Sequence, residues 1–163
     1  MRMTLLLTFG MCVMAVAIPG NSKQNETDSA AFVRMTPEDV RWHAVPDSPG
    51  VQMATIAGDP SGRGIYVVRV RFPPHVMDRP HWHPNDRYVT VLQGTWYTGT
   101  GPTFDPHQAV PLQPGGYMFH PARGLHWDGS NNNEEVVVQI FGVGPADTTP
   151  ADPSQPFWVQ LQP

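Results

Sequence analysis

The chain has 163 residues, a length that suits one domain of ordinary size. Its formal net charge is −4 at pH 7, and it contains only 10 lysines and arginines. No basic cluster is present, which argues against nucleic acid as a partner. The 19 prolines and 15 glycines, with few runs of helical period, favour many short strands joined by turns.

The first segment of the chain predicts export. Arg2 gives a positive start, residues 4–16 form a nearly continuous apolar run, and Ala15-Val16-Ala17 places small residues before a cleavage site. We therefore expect residues 1–17 to be a signal peptide, removed on transfer to the periplasm or the extracellular space. An uncleaved anchor is the alternative, but the run is shorter than the roughly 20 residues that a membrane span needs. No stable membrane span is expected.

Cysteine usage restricts the chemistry of the mature chain. Cys12 is the only cysteine, and it lies inside the apolar run. The mature protein would therefore contain no disulfide, no thiolate ligand and no thiolate nucleophile. Any metal must be held by histidine, carboxylate or carbonyl groups.

The rest of the chain divides into three predicted parts. Residues 18–33 are polar and predicted to be disordered. Residues 34–145 form the main domain, where short apolar runs alternate with turn signals. Residues 146–163 form a Pro-rich, extended C-terminal arm. We expect Phe157-Trp158-Val159 to pack this arm onto the main domain, because three large apolar residues would otherwise lie in water.

The apolar runs of the main domain have a period of two. Tyr66, Val68 and Val70 alternate with the residues between them, so the strand has two distinct faces. This pattern predicts an all-β fold, closed into a barrel or built from two sheets. The predicted strands cover residues 52–57, 64–72, 87–92, 95–98, 109–112, 117–120 and 134–142.

Histidines supply the strongest functional signal. His81 and His83 lie two residues apart in Pro80-His-Trp-His-Pro84, so on a strand both imidazoles leave the same face. A divalent metal is the usual reason to bring two neutral imidazoles to one point, although such a pair also occurs by chance on exposed loops. His126 follows in a second strand-like segment.

The spacing around these histidines resembles the two motifs of the cupin superfamily, in particular its small single-domain members with an RmlC-like jelly roll. The matching positions are His81, His83 and Gly94 in the first motif, and Gly115, Pro121, Gly124 and His126 in the second. The resemblance covers about residues 64–144, most of the main domain. Within the superfamily, the chain resembles a group of secreted bacterial cupins.

The resemblance implies a double-stranded β-helix, the cupin jelly-roll barrel, with extended arms at both ends. It implies one divalent metal inside the barrel, held by His81, His83 and His126. Zinc, iron, manganese, nickel and copper are not distinguished by these ligands. Cupins also often dimerise through edge strands, so a homodimer is a further expectation.

Two positions depart from the family pattern. Arg87 stands where the family has its glutamate ligand, and His75 stands where the family has the first glycine. A guanidinium has no lone pair to offer a metal. Three interpretations are open: the metal remains on three histidines and Arg87 binds an anion, Asp86 supplies the missing carboxylate, or the metal is absent and the histidines line a plain cavity. We favour the first, because the fork of Arg87 suits a carboxylate or phosphate.

Cupins include oxygenases, isomerases, lyases and non-catalytic binding or sensing modules, so the fold does not name a reaction. The favoured hypothesis is a secreted, metal-binding cupin whose pocket binds or transforms a small organic anion. The alternative is a non-catalytic small-molecule binding or sensing module in which the metal is weakened or absent.

Three further expectations concern polar residues near the motifs. His120 is predicted to be a hydrogen-bonded structural histidine. His43 and His107 are predicted at the surface. Asp128 is predicted to form a turn with Gly129 rather than to support the site.

Overall fold

The structure is a computed structural model that describes residues 32–162. In this part of the chain the fold consists of two antiparallel sheets. The described strands are β1 (His43–Ala44), β2 (Gln52–Gly58), β3 (Ile65–Phe72), β4 (Val76–Asp78), β5 (His81–Trp82), β6 (Arg87–Gln93), β7 (Trp96–Thr100), β8 (Val110–Leu112), β9 (Tyr117–His120), β10 (His126–Gly129), β11 (Val136–Val143), β12 (Thr149–Pro150) and β13 (Trp158–Gln160). Two short 3-10 turns, Pro37–Asp39 and Pro106–Gln108, complete the elements.

The strand order within each sheet is that of a jelly roll. The first sheet runs β1-β2-β3-β11-β6-β9, and the second runs β12-β5-β10-β4-β13, with β7 also paired to β10 and β8 paired to β7. Neighbours such as β3 and β11 are distant in sequence, so the chain crosses repeatedly between the two sheets. The predicted all-β jelly-roll fold is confirmed.

The core lies between the inner faces of the sheets. On β3, Tyr66 and Val68 are buried, while β6 and β11 contribute inward residues such as Val89 and Val138. This arrangement follows from the period-two pattern, because alternate side chains of a strand leave opposite faces. The C-terminal residues add to this core, since β13 pairs with β4 and the Trp158 ring packs edge-on against Phe72 at 6.3 Å.

One strand of the second sheet lies where the sequence predicts a turn. Residues 126–129 form β10, which pairs with β7 over its whole length and with β4 and β5 on its other side. All four residues are buried. The predicted turn at Asp128 and Gly129 is therefore wrong, because pairing on both edges overrides the local turn preference of an Asp-Gly pair.

Gly94 and His75, the two positions at which the first cupin motif has glycine, both have a positive φ. Gly94, in the bend between β6 and β7, has a φ of 70°, and a Cβ there would collide with the Glu135 carbonyl. His75 has a φ of 60°, in the left-handed region that favours glycine. The glycine expected at position 75 is thus replaced by histidine, while the backbone conformation that suits glycine is kept.

The predicted signal peptide, residues 1–17, lies outside the described residues, as do residues 18–31 of the segment predicted to be disordered. Among residues 32–162, no helix has the length and apolar character needed to cross a membrane.

Candidate metal and anion site

The structure brings the three predicted histidines together inside the barrel. His81 on β5 lies directly opposite His126 on β10, and His83 follows the end of β5. Each of the three is only 3% exposed. The ring centroids of His81 and His126 are 4.3 Å apart, those of His81 and His83 4.9 Å, and those of His83 and His126 5.2 Å.

Backbone carbonyls fix how each ring is presented. The Nδ1 atoms lie 2.8 Å from the Arg79 carbonyl for His81, 2.8 Å from the Asp147 carbonyl for His83 and 2.9 Å from the Gly124 carbonyl for His126. Because a carbonyl only accepts, each Nδ1 donates, and the lone pair of each neutral ring lies on Nε2. Histidines that ligate metals are held in this way.

The donor set fits a divalent metal ion. The potential ligand atoms of His81, His83 and His126 all lie within 4.8 Å of one another. Burial lowers the pKa of all three imidazoles, to about 2 for His83 and about 4 for His126, with the Arg87 charge contributing to each shift. The rings are therefore neutral at pH 7, and neutral imidazoles are the form that binds metals.

Arg87 points into the same space. It lies at the start of β6, lines the central cavity, and donates from Nη1 to the Nε2 of His83. Its Nε is buried without a hydrogen-bond partner among the described residues. The guanidinium therefore occupies the lone pair that His83 would offer to a metal.

Asp86 does not complete the site. It is exposed, and its Oδ1 accepts a hydrogen bond from the Ala122 amide at 2.7 Å. The alternative in which Asp86 replaces the missing glutamate is wrong, because the strand keeps its register and places Arg87 inward instead.

Two carboxyl groups to which the sequence analysis assigned no part in the site lie beside the histidines. Asp78 Oδ1 accepts from the Asp128 amide at 2.7 Å, and Asp128 Oδ1 accepts from Trp96 Nε1 at 2.9 Å. Both residues line the cavity and are nearly buried. Burial raises the pKa of both carboxyls, most strongly for Asp78, where the neighbouring Asp128 adds to the effect. The i, i+2 relationship of His126 and Asp128 was the available sequence signal, since it predicts a shared strand face.

His120 is buried but not hydrogen-bonded. It is 2% exposed, and both ring nitrogens lack a hydrogen-bond partner within the described chain. Its ring centroid lies 3.7 Å from that of His126. The prediction of a hydrogen-bonded structural histidine is therefore wrong. His43 and His107 are exposed, as predicted.

The cavity has a polar end and an apolar body. Its volume is about 350 Å³. The polar lining includes Asp78, His81, His83, Arg87, His120 and Asp128, and the apolar lining includes Val51, Tyr66, Val68, Phe72, Val89, Val138, Ile140 and Trp158. Such a cavity suits a small amphiphilic molecule with its polar group toward the histidines.

The chain belongs to the cupin family. The sequence model of that family, described as Cupin, matches residues 58–160. This match includes both motifs and every residue of the polar end of the cavity. No curated protein is significantly similar to the chain in sequence.

Solved structures share the fold. The polyketide cyclase RemF from Streptomyces resistomycificus superposes with a TM-score of 0.63 at 16% identity, covering 77% of this chain and 89% of that one. KdgF from Halomonas sp. gives a TM-score of 0.55 at 20% identity, covering 70% and 96%. The DMSP lyase DddQ from Ruegeria pomeroyi DSS-3 gives 0.57 at 14% identity, covering 78% and 75%. At these identities the similarity defines the fold alone.

Proposed function

We propose that this cupin binds a small organic anion with an apolar body, and that a divalent metal takes part in binding. His81, His83 and His126 would hold the metal, and Arg87 would bind the carboxylate or phosphate of the anion. When bound, the ion supplies a Lewis-acidic centre at the polar end of the cavity.

The three carbonyl-anchored histidines carry the proposal. Each Nδ1 donates to a backbone oxygen, so three buried rings present acceptor nitrogens to a common space. Buried polar atoms are normally paired, so three anchored imidazoles in one place are unfavourable if they serve packing alone. A bound cation would give their acceptor nitrogens a common partner.

Arg87 supports the anionic nature of the ligand. A buried guanidinium needs a compensating charge, yet its direct partner is the neutral ring of His83. Arg87 has no ion pair with a carboxylate among the described residues. The carboxyls of Asp78 and Asp128 act on the guanidinium, but neither forms an ion pair with it. An anion placed between the guanidinium and the metal would give Arg87 a direct charged partner, while its apolar part would contact the valine-rich lining.

The second candidate is a metal-free binding module. The contact between Arg87 and the Nε2 of His83 favours it, because this contact and a metal–His83 bond exclude each other. In that form the anion would bind to Arg87 alone. Oxygenase, isomerase or lyase chemistry is the enzymatic form of the first candidate, and the binding proposal does not depend on it.

Calorimetric titration with Zn²⁺ in saturating benzoate tests the proposal. Benzoate combines a carboxylate with an apolar ring, and benzyl alcohol serves as its uncharged counterpart. We expect metal binding in the wild type, a loss of about tenfold or more in affinity in His81→Ala, and no change in His107→Ala, which removes an exposed imidazole. Benzoate binding without any metal binding would favour the second candidate.

We also propose that the protein is exported after removal of residues 1–17. The Arg2 start, the apolar run and the small residues at Ala15 and Ala17 support this.

A further inference from the structure

We infer that the barrel contains a second metal position, formed by His120, His126 and Asp128, which a divalent first-row ion occupies when Arg87 holds His83. This inference goes beyond the proposed function, because it adds two side chains, His120 and Asp128, that the proposed function does not use as ligands. The two positions share His126. We call His81, His83 and His126 the outer triad, and His120, His126 and Asp128 the inner triad.

The geometry of the inner triad meets the requirement for a metal site. Its potential ligand atoms all lie within 4.8 Å of one another, and all three residues are buried. Two imidazoles and one carboxylate form a donor set that suits iron(II) and related first-row ions. The inner triad thus retains a carboxylate ligand even though position 87 is an arginine.

Unpartnered nitrogens mark this position independently. Both ring nitrogens of His120 and the Nε2 of His126 are buried without a hydrogen-bond partner in the described chain. A buried polar atom left unpaired destabilises the folded state, so three such atoms on two adjacent rings need an explanation. A cation between His120 and His126 would use one nitrogen from each ring.

The fold positions all three ligands on firmly paired strands. His120 ends β9, and His126 and Asp128 are alternate residues of β10 that share one face. Trp96 Nε1 donates to Asp128 Oδ1 and fixes the carboxylate. A partner of this kind commonly orients a metal ligand.

Arg87 determines which triad is available. Its Nη1 donates a hydrogen bond to His83 Nε2, the atom with which His83 would bind a metal in the outer triad. No ligand of the inner triad is hydrogen-bonded to the guanidinium. His126 has one free lone pair, because its Nδ1 donates to the Gly124 carbonyl. A single ion on His126 therefore belongs to one triad at a time. Without an organic anion to attract Arg87, the inner triad is the accessible one.

Titration with Co²⁺ in buffer free of organic anions tests this assignment. We compare wild type with His120→Phe, Asp128→Asn and His83→Phe, using His107→Phe as the surface control. His120→Phe keeps a ring beside Trp96, and Asp128→Asn keeps an acceptor for the indole. We expect affinity to fall about tenfold or more in His120→Phe and Asp128→Asn, and to change less than about threefold in His83→Phe and His107→Phe.

Other outcomes overturn the inference in distinct ways. If His83→Phe loses Co²⁺ and His120→Phe retains it, the outer triad is the sole metal position and the proposed function stands. If both variants lose Co²⁺, one ion spans both triads and the inner triad is not a separate position. If the wild type binds no metal with or without benzoate, both proposals fail. Circular dichroism of each metal-free variant checks folding, and His120→Gln replaces His120→Phe if the latter does not fold.

Discussion

Arg87 on β6 and His120 on β9 are directly opposed in the first sheet, and both side chains line the central cavity. Opposed residues of an antiparallel pair project from the same face, so the strand register alone brings them side by side. Where the cupin motif has a carboxylate ligand, this chain has the positively charged side chain of Arg87, next to the imidazole of His120. Burial, followed by the neighbouring His126 and Arg87, lowers the pKa of His120, so this imidazole is neutral at pH 7.

Exchanging Arg87 for glutamate should restore a family-like metal site. We expect Arg87→Glu to tighten Zn²⁺ binding by about tenfold in the absence of anions, because it adds an oxygen ligand and frees the Nε2 of His83. The same change should weaken benzoate binding, because the fork that binds the carboxylate is lost. Paired calorimetric titrations with Zn²⁺ and with benzoate measure both effects.

Arg87→Gln is the matched control, because it removes the cation without adding a carboxylate. It should weaken benzoate binding as much as Arg87→Glu does while strengthening Zn²⁺ binding less. Unchanged Zn²⁺ affinity in Arg87→Glu would mean that position 87 does not face the metal. Unchanged benzoate affinity in both variants would mean that Arg87 does not bind the anion.

The outer triad was predictable because its signal is local. His81 and His83 share a face through simple alternation, and the two cupin motifs relate them to His126. The inward position of Arg87 followed from the register of the same motif. Each of these predictions used the spacing of residues within a short sequence motif, and the resemblance to the cupin motifs supplied the relationship between the strands.

The inner triad was not predictable in the same way, because it depends on pairing between distant strands. His120 meets His126 only when β9 and β10 occupy different sheets of the closed barrel. Asp128 followed by Gly129 has the local appearance of a turn, and only the pairing of β10 with β4, β5 and β7 buries the carboxylate. Loop closure and sheet pairing are global properties that local sequence patterns do not encode.

His75 gives a prediction about backbone conformation. Its φ of 60° is costly for residues with a Cβ and most costly for β-branched ones. His75→Gly should therefore be more stable than His75→Ala by about 1 kcal/mol, and His75→Val should be the least stable of the three. All three variants lose the hydrogen bond between His75 Nε2 and Asn133 Oδ1, so its loss cancels in the comparison. Urea unfolding curves measure the order, and equal stabilities would show that this backbone is not held in the left-handed region.

Glu134 should make the stability of the barrel depend on pH. Its Oε2 accepts hydrogen bonds from the hydroxyl and the amide of Thr95, at 2.9 Å and 3.1 Å. The Thr95 side chain and then Asn132 lower the pKa of Glu134 from its ordinary value of 4.5. A carboxyl whose pKa is lowered on folding stabilises the protein above its unfolded pKa, and this contribution is lost as the pH falls through the folded pKa.

Comparison with Glu134→Gln isolates this effect. We expect the wild type to have the higher melting temperature at pH 7 and the difference to shrink progressively below about pH 4.5. Asp47→Asn is the control, because the Asp47 carboxylate is exposed and has no hydrogen bond or ion pair among the described residues. A difference that stays constant from pH 7 to pH 3 would mean that the charge on Glu134 contributes nothing to stability.

Export gives the last prediction. Arg2 followed by an apolar run and by Ala15-Val16-Ala17 has the order of a secretory signal, with small residues at the two positions that a signal peptidase recognises. When the full chain is expressed in a bacterium with a periplasm, protein recovered from that compartment should begin at residue 18. Intact-mass analysis distinguishes this form from the full chain.

Replacing Ala15 and Ala17 with bulky glutamine should block cleavage. The uncleaved protein, with residues 1–17 still attached, should then be found in the membrane fraction. Recovery of wild-type protein with Met1 still present, in the cytoplasm alone, would refute both export and cleavage.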